Sequence, residues 1–291
     1  MNGANDLQAT GSPPASRSDL HLVLEPGRAD RHYWRDLWRY RDLFLVLAWR
    51  DVAVRYKQTF IGVAWAVVRP LLTMIVFTLI FGRVAQLPSD GAVPYAALVF
   101  AAMLPWFLFS TILAEGSNSL VVNAQLVGKV YFPRMIIPTS AAVVALVDFA
   151  IAFVLLGLLL LWYGILPDWR LALLPFFILL ALVASLGPAL LMAALNVKYR
   201  DFRYIIPFVV QFGMYVSPVG FSSSVVPEQW RLLYSLNPLV GVIDGFRWCL
   251  FGGQSPMDWH GLALSAGVAL LLLYAGIAYF RRTERAFADL I

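Results

Sequence analysis

The chain has 291 residues, of which 60% are hydrophobic and only 13% charged, with a mean hydropathy of +0.74. A soluble domain runs at about 25% charged residues, so the composition excludes a single water-soluble core and indicates a polytopic all-α membrane protein. The formal net charge of +5 does not point to nucleic acid, because the basic residues sort by membrane side once the spans are placed.

Residues 1–30 are rich in small and polar residues, Pro and Gly, and no basic stretch leads into an apolar one. They are expected to form a flexible cytosolic tail rather than a signal peptide. Residues 31–58 differ. Trp34, Arg35, Trp38 and Arg39 recur at roughly helical spacing, the pattern of a helix lying in the headgroup layer with its apolar side down. A solvated helix packed on a partner protein is the other reading.

A spanning helix needs roughly 20 mostly apolar residues. Six such stretches follow, at about 60–82, 93–114, 136–161, 171–195, 204–220 and 260–280. The fifth is short and bracketed by prolines. Pro70, Pro105, Pro175, Pro188 and Pro207 fall inside the runs, where neighbouring helices can satisfy the carbonyls a proline frees. With the N-terminus inside, the inner segments hold seventeen Lys and Arg and the outer ones four, which predicts both ends in the cytosol and an even number of spans.

Residues 221–259 are apolar yet carry Glu228, Arg231, Asp244 and Arg247, too many charges for a lipid-facing span. Two short amphipathic helices are expected, about 227–235 and 238–251, dipping into the outer leaflet. A plain surface loop is the alternative. Gly241 and Gly245 have GxxxG spacing, a weak sign of helix contact here.

Motifs for chemistry are missing. The stretch LVGKV at 126–130 lacks the upstream Gly and the Ser/Thr of a phosphate-binding loop. Cys249 stands alone, and His21, His32 and His260 are scattered, so no disulfide, no metal site and no bound cofactor are expected. The Arg-Asp pairs at 35–36, 41–42, 50–51 and 200–201 are neighbours in sequence and are not expected to face each other on a helix.

Four stretches together carry a resemblance: LAWRDVAVRYKQTFIGVAWAVVRPLL (47–72), GKVYFPRMIIP (128–138), LNVKYRDFRYIIPFVVQFGMYVSPVGF (195–221) and LNPLVGVIDGFRWCLFG (236–252). In order and spacing they resemble the permease subunit of ABC-2-type polysaccharide exporters, the O-antigen, capsule and teichoic-acid branch, over about residues 33–285. The resemblance implies a homodimeric channel in the bacterial inner membrane for a glycan on a polyprenyl-diphosphate carrier. It also implies two cytosolic ATPase subunits that use ATP and Mg. The interface helix maps to about 31–42 and the transmembrane domain to 59–285, with 286–291 as a cytosolic tail. The ATPase-coupling loop maps to 117–135, where Lys129, Tyr131, Phe132 and Arg134 offer cations and aromatics for docking. Lys198 and Arg200, on the short loop 196–203, face the same side. The outer gate maps to about 227–251, with Trp230, Asn237, Pro238 and Arg247. The tail 1–30 has no implied role.

Two charges sit inside spans. Arg69 lies about 14 Å into a hydrocarbon core about 30 Å thick, and Asp148 lies near the centre of span three. Neither should face lipid, since a central charge costs roughly 2.5–3.5 kcal/mol on insertion scales. Three readings stay open: an Arg69–Asp148 pair, Arg69 meeting the carrier's diphosphate, or Arg69 reaching back to the cytosolic interface, with Glu115 as another partner. Sugar rings stack on aromatics, so Trp106, Phe212 and Tyr215 are candidates to line the glycan path, although membrane aromatics also serve as packing and interface belts. Two rival functions remain: an ABC-2 exporter of a small amphiphile or drug, and a membrane-embedded polyprenyl-phosphate transferase, for which Asp51 and Asp201 would be a poor metal pair.

Overall fold

The computed structural model describes residues 33–57, 60–199 and 201–287, with the side chains of 60–63 left aside. The expected tail 1–30, and Arg200 among the coupling candidates, lie outside the described residues. Every regular element described is helical. α1 (Tyr33–Arg39) and α2 (Arg41–Tyr56) meet at Tyr40. α3 (Phe60–Phe77) runs on into a π-helical stretch, Thr78–Val84. α4 (Tyr95–Val122), the short α5 (Ala124–Lys129) and α6 (Ile136–Trp162) follow. A 3-10 turn, Trp169–Leu173, leads into α7 (Leu174–Lys198), then α8 (Phe202–Val216). α9 (Glu228–Tyr234), α10 (Pro238–Leu250) and α11 (Trp259–Thr283) close the chain.

Five helices are long and apolar enough to cross a membrane: α3 with its π extension, α4, α6, α7 with its leading turn, and α11. α8 has 15 residues, about 22 Å at 1.5 Å per residue, short of a core about 30 Å thick. The expected span at 204–220 is thus cut at Val216, where the backbone turns extended at Ser217 and the Asn237 side-chain amide donates to the Ser217 hydroxyl at 2.9 Å.

α4 is the hub. Across an 18-residue apolar stretch of its span 78% of residues are buried, against 17% for the span of α3 and 22% for that of α11. α6, α7 and α10 pack around it. A second cluster gathers the ends rich in Lys and Arg: Leu47, Leu120, Phe132, Ile136, Val197, Phe280 and Phe287 share one core. Because Val197 and Phe280 meet there, α7 and α11 run parallel, and the chain between them must cross to the opposite end once. Their contact is close. A methyl added at Gly187 would lie 2.5 Å from the Leu273 backbone nitrogen, the small-residue approach that packs helices in lipid.

α10 (Pro238–Leu250) falls at the second of the two expected short helices, but it is more deeply buried than an amphipathic helix dipping into the outer leaflet. Its residues are nearly all buried, from Leu239 through Leu250, because it is wedged among α4, α7 and α11. The GxxxG spacing has a use after all: Gly241 faces Ser265 of α11, and Gly245 receives the Phe177 ring of α7. Cys249 is buried, and burial pushes its thiol up to about 11, which leaves it a small apolar filler.

Candidate functional site

The polar side of α2 is stitched to α4 and α6 in two tiers. In the outer tier Arg50 donates to Asp51 at 2.7 Å and to the Asn123 side-chain carbonyl at 3.0 Å, and Ser140 donates to Asp51 at 3.4 Å. The Arg50–Asp51 pair corrects the expectation for sequence neighbours, as does Arg41–Asp42 at 3.7 Å. Both acids are short and both arginines long enough to curl back along the helix. The inner tier lies eight residues further along α4 and α6, about 12 Å. There Arg55 divides its fork between Glu115 (2.5 Å) and Asp148 (2.7 Å), and the Tyr56 hydroxyl donates to Asp148.

Asp148 therefore pairs with Arg55, not with Arg69. Sequence reasoning singled out both acids as partners for Arg69 and missed Arg55, because Arg55 precedes the first apolar run and reads as headgroup-facing. Arg69 is exposed and its guanidinium sits 5.1 Å from the centre of the Phe107 ring. Among the described residues no carboxylate pairs with it. Pro70 beside it removes a ladder donor, and the Thr73 hydroxyl donates to the Arg69 carbonyl at 2.8 Å. Arg69, Arg55, Asp148 and Phe107 line a cavity of about 230 Å³ between α3, α4 and α6.

α8 carries the aromatic candidates. Phe208 and Phe212 stack on its outer side with rings 5.8 Å apart and 7° between planes, and Tyr215 stacks on Phe77 of α3 at 6.2 Å. Phe212 and Tyr215 are each 58% exposed. Trp106 is a correction. It is buried in α4 under Gly213, where a methyl would come within 2.8 Å of its ring, so it supports α8 from beneath instead of facing a path.

At the basic end, Trp34 and Trp38 of α1 are exposed, as are Arg35 and Arg39. Leu45, Val46, Trp49 and Val54 continue an apolar exposed side along α2. The expected coupling loop splits into two kinds of residue. Lys129 and Tyr131 are exposed, as is Lys198, which lies over the Tyr199 ring at 5.1 Å. Phe132 and Arg134 are not free to dock. Phe132 is 3% exposed, packed with Val127, Met135 and Ile136. Arg134 is tied to the end of α11, its amide donating to the Glu284 carboxylate at 2.7 Å and its guanidinium to the Glu284 carbonyl at 2.5 Å. The apolar pattern of the loop holds it against the bundle, and only its rim remains outside.

At the opposite end, Trp230 of α9 is exposed. Asn237 caps α10, accepting from the Leu239 amide at 3.0 Å, with Pro238 in the first turn. Arg247 is 1% exposed. It donates to three backbone carbonyls, Leu98 at 3.2 Å, Phe221 at 3.0 Å and Val219 at 3.4 Å, so it ties α10 to α4 and to the strand of chain after α8. Among the described residues no group of three or more His, Cys, Asp or Glu could hold a metal, and Asp51 is engaged by Arg50 and Ser140.

Residues 42–251 match the ABC-2 type transporter family. The chain belongs to that family. As an ABC-2 permease it is a transmembrane transport subunit, and ATP hydrolysis resides on a separate chain. Relatives cover most of the chain. An O-antigen export system permease protein RfbA from Myxococcus xanthus is 30% identical over 259 residues, 88% of this chain and 98% of the relative. One of the same name from Klebsiella pneumoniae is 25% identical over 256 residues, 86% and 95% of the two chains. Another from Klebsiella pneumoniae is 25% identical over 254 residues. The ABC-2 match takes in α2 through α10, and with them both charged tiers, the aromatic side of α8 and the buried Arg247.

Proposed function

We propose that this ABC-2 permease is the channel subunit of an ATP-driven exporter that moves an O-antigen-like glycan on a polyprenyl-diphosphate carrier across the inner membrane. The observation that carries the reading is the near-complete coverage of relatives named as O-antigen export permeases. Two features support it. Arg69 presents a guanidinium without a carboxylate partner to a cavity at membrane depth, and an Arg fork suits phosphate oxygens. The Phe208–Phe212 stack offers sugar rings a flat apolar surface.

The working unit is two copies of the chain with two cytosolic ABC ATPases. α8 serves as the sixth crossing, shortened because the channel beside it is wet and a full hydrocarbon thickness need not be spanned. Both ends then lie in the cytosol, as the basic residues favour. Trp34 and Trp38 rest in the headgroup layer, and Lys129, Tyr131 and Lys198 meet the ATPase. α9 and α10 form the outer gate, with Trp230 on its movable rim and Asn237, Pro238 and Arg247 as its fixed frame.

The test is deletion of the gene in its native host. Carrier-linked glycan is expected to build up on the cytosolic leaflet, and restoration is expected from this chain but not from extra copies of its ATPase. Normal surface glycan in the deletion strain, with loss of a small amphiphile's efflux, would replace the reading with that of a drug-type exporter.

A further inference from the structure

Among the described residues, Arg55 is the one lining both the 230 Å³ cavity beside Arg69 and a wider one, about 600 Å³, at the basic end between α2, α4 and α6. Its side chain is the partition between them. That partition is ionic and not apolar, with one donor edge on Glu115 at 2.5 Å and another on Asp148 at 2.7 Å. Arg55 is also within reach of solvent, with a side-chain exposure of 35%.

We infer that Arg55 is a second phosphate-binding group, exchanged from Glu115 and Asp148 onto the carrier's phosphates as the headgroup passes from the wide cavity to the narrow one. The inference rests on the lipid-linked substrate proposed above. The charges set the terms. Arg55, Arg69, Glu115 and Asp148 sum to zero, so an arriving diphosphate meets two carboxylates and one committed guanidinium. It gains a second cation only by taking Arg55 from its acids. Arg binds phosphate and carboxylate oxygens through the same kind of charge-assisted bond, so the bonds Arg55 gives up to Glu115 and Asp148 are replaced by bonds of the same kind to the phosphates. Each acid keeps a place without Arg55. Asp148 retains the Tyr56 hydroxyl, and Glu115 stands at the mouth of the wide cavity with 41% of its side chain exposed to water. Because Arg55 is the partition, the swap opens it as the ligand binds, while the Tyr56–Asp148 bond and the outer tier keep α2 against α4 and α6.

The experiment uses the permease assembled with its ATPase in lipid nanodiscs, with ATP hydrolysis followed against a long-chain polyprenyl diphosphate, inorganic pyrophosphate or phosphatidylglycerol. Glu115→Gln removes one competitor and is expected to lower the half-saturating polyprenyl diphosphate about tenfold, the scale of one charge-assisted bond. Arg55→Gln is expected to raise it about tenfold, Arg55→Lys less, and Arg55→Gln with Glu115→Gln to lose the gain. The same Glu115→Gln shift with inorganic pyrophosphate assigns recognition to the phosphates themselves, and a shift confined to the lipid assigns it to the intact carrier. Should Arg55→Gln fail to assemble, Glu115→Gln decides alone, because it keeps the Arg55–Asp148 bond. An unchanged or raised half-saturation in Glu115→Gln, with wild type responding normally, overturns this inference only. An equal shift with phosphatidylglycerol overturns it as a diphosphate site. A wild-type complex that answers to no polyprenyl diphosphate removes the substrate reading and this inference together.

Discussion

At the scale of single residues, the placement of charge separates Arg69 from Asp148. Asp148 is held by Arg55 and Tyr56, and Arg69 faces an aromatic ring. Their loss should therefore act independently. In thermal unfolding Asp148→Asn is expected to lower the melting temperature by about the same amount with or without Arg69→Ala, because its lost bonds are to Arg55 and Tyr56 and none is to Arg69. A loss that vanishes in the Arg69→Ala background would restore the direct pair. Asp244 on α10 gives a pH signature. Burial pushes its carboxyl up to about 6 against the help of the Ser223 hydroxyl and nearby Arg247, with Asp90 and Asp258 adding to the rise. The folded state thus holds this proton more tightly than the unfolded chain does. Its contribution favours the fold below the ordinary carboxylate range and is lost as pH climbs through about 6. Thermal unfolding of purified protein between pH 4.5 and 7 should show a fall that Asp244→Asn flattens.

At the scale of elements, the loop between α4 and α6 shows what a sequence can and cannot reveal. Its cations and aromatics were legible as a group, but not which of them point inward. Phe132 follows Tyr131 in an irregular stretch, where no period separates inner from outer faces, and the answer came from tertiary contacts with α11 and its end. The two residues now make opposite predictions. Phe132→Ala should cost about 3–5 kcal/mol as a core truncation, seen as lost yield and a lower melting temperature. Tyr131→Ala should leave the melting temperature within about a degree or two, the small effect of an ordinary surface change, while lowering ATP-coupled export. The long spans were legible because lipid demands long apolar runs. α8 was not fully so, since its length was set by the turn at Ser217 and the Asn237 contact. α10 hid a buried helix behind charges: Arg247 satisfies three carbonyls in the interior, and its bond to Leu98 joins positions 149 residues apart that no local pattern marks.

At the scale of the whole molecule, two of the apolar faces that the described chain leaves uncovered bear on how copies assemble. One belongs to α3 and α8, where Trp65, Leu72, Leu79, Phe208 and Phe212 are exposed; the other belongs to α11, with Leu270, Leu271 and Tyr274. They differ in what they carry. The α3 and α8 side holds Arg69 at membrane depth, and a lipid-facing position there costs roughly 2.5–3.5 kcal/mol. The α11 side is aliphatic apart from Tyr274 and bears no charge until Arg281 near its end, which lipid accepts without cost. The charged side is the one that gains from a second copy and a wet path between the two. Cysteine substitution is clean in this chain, because the native Cys249 is fully buried. Leu72→Cys or Leu79→Cys should therefore cross-link between copies in native membranes, and Leu271→Cys should not. Cross-links through α11 with none through α3 would turn the assembly around, put Arg69 against lipid, and take the glycan path away from the aromatic side of α8.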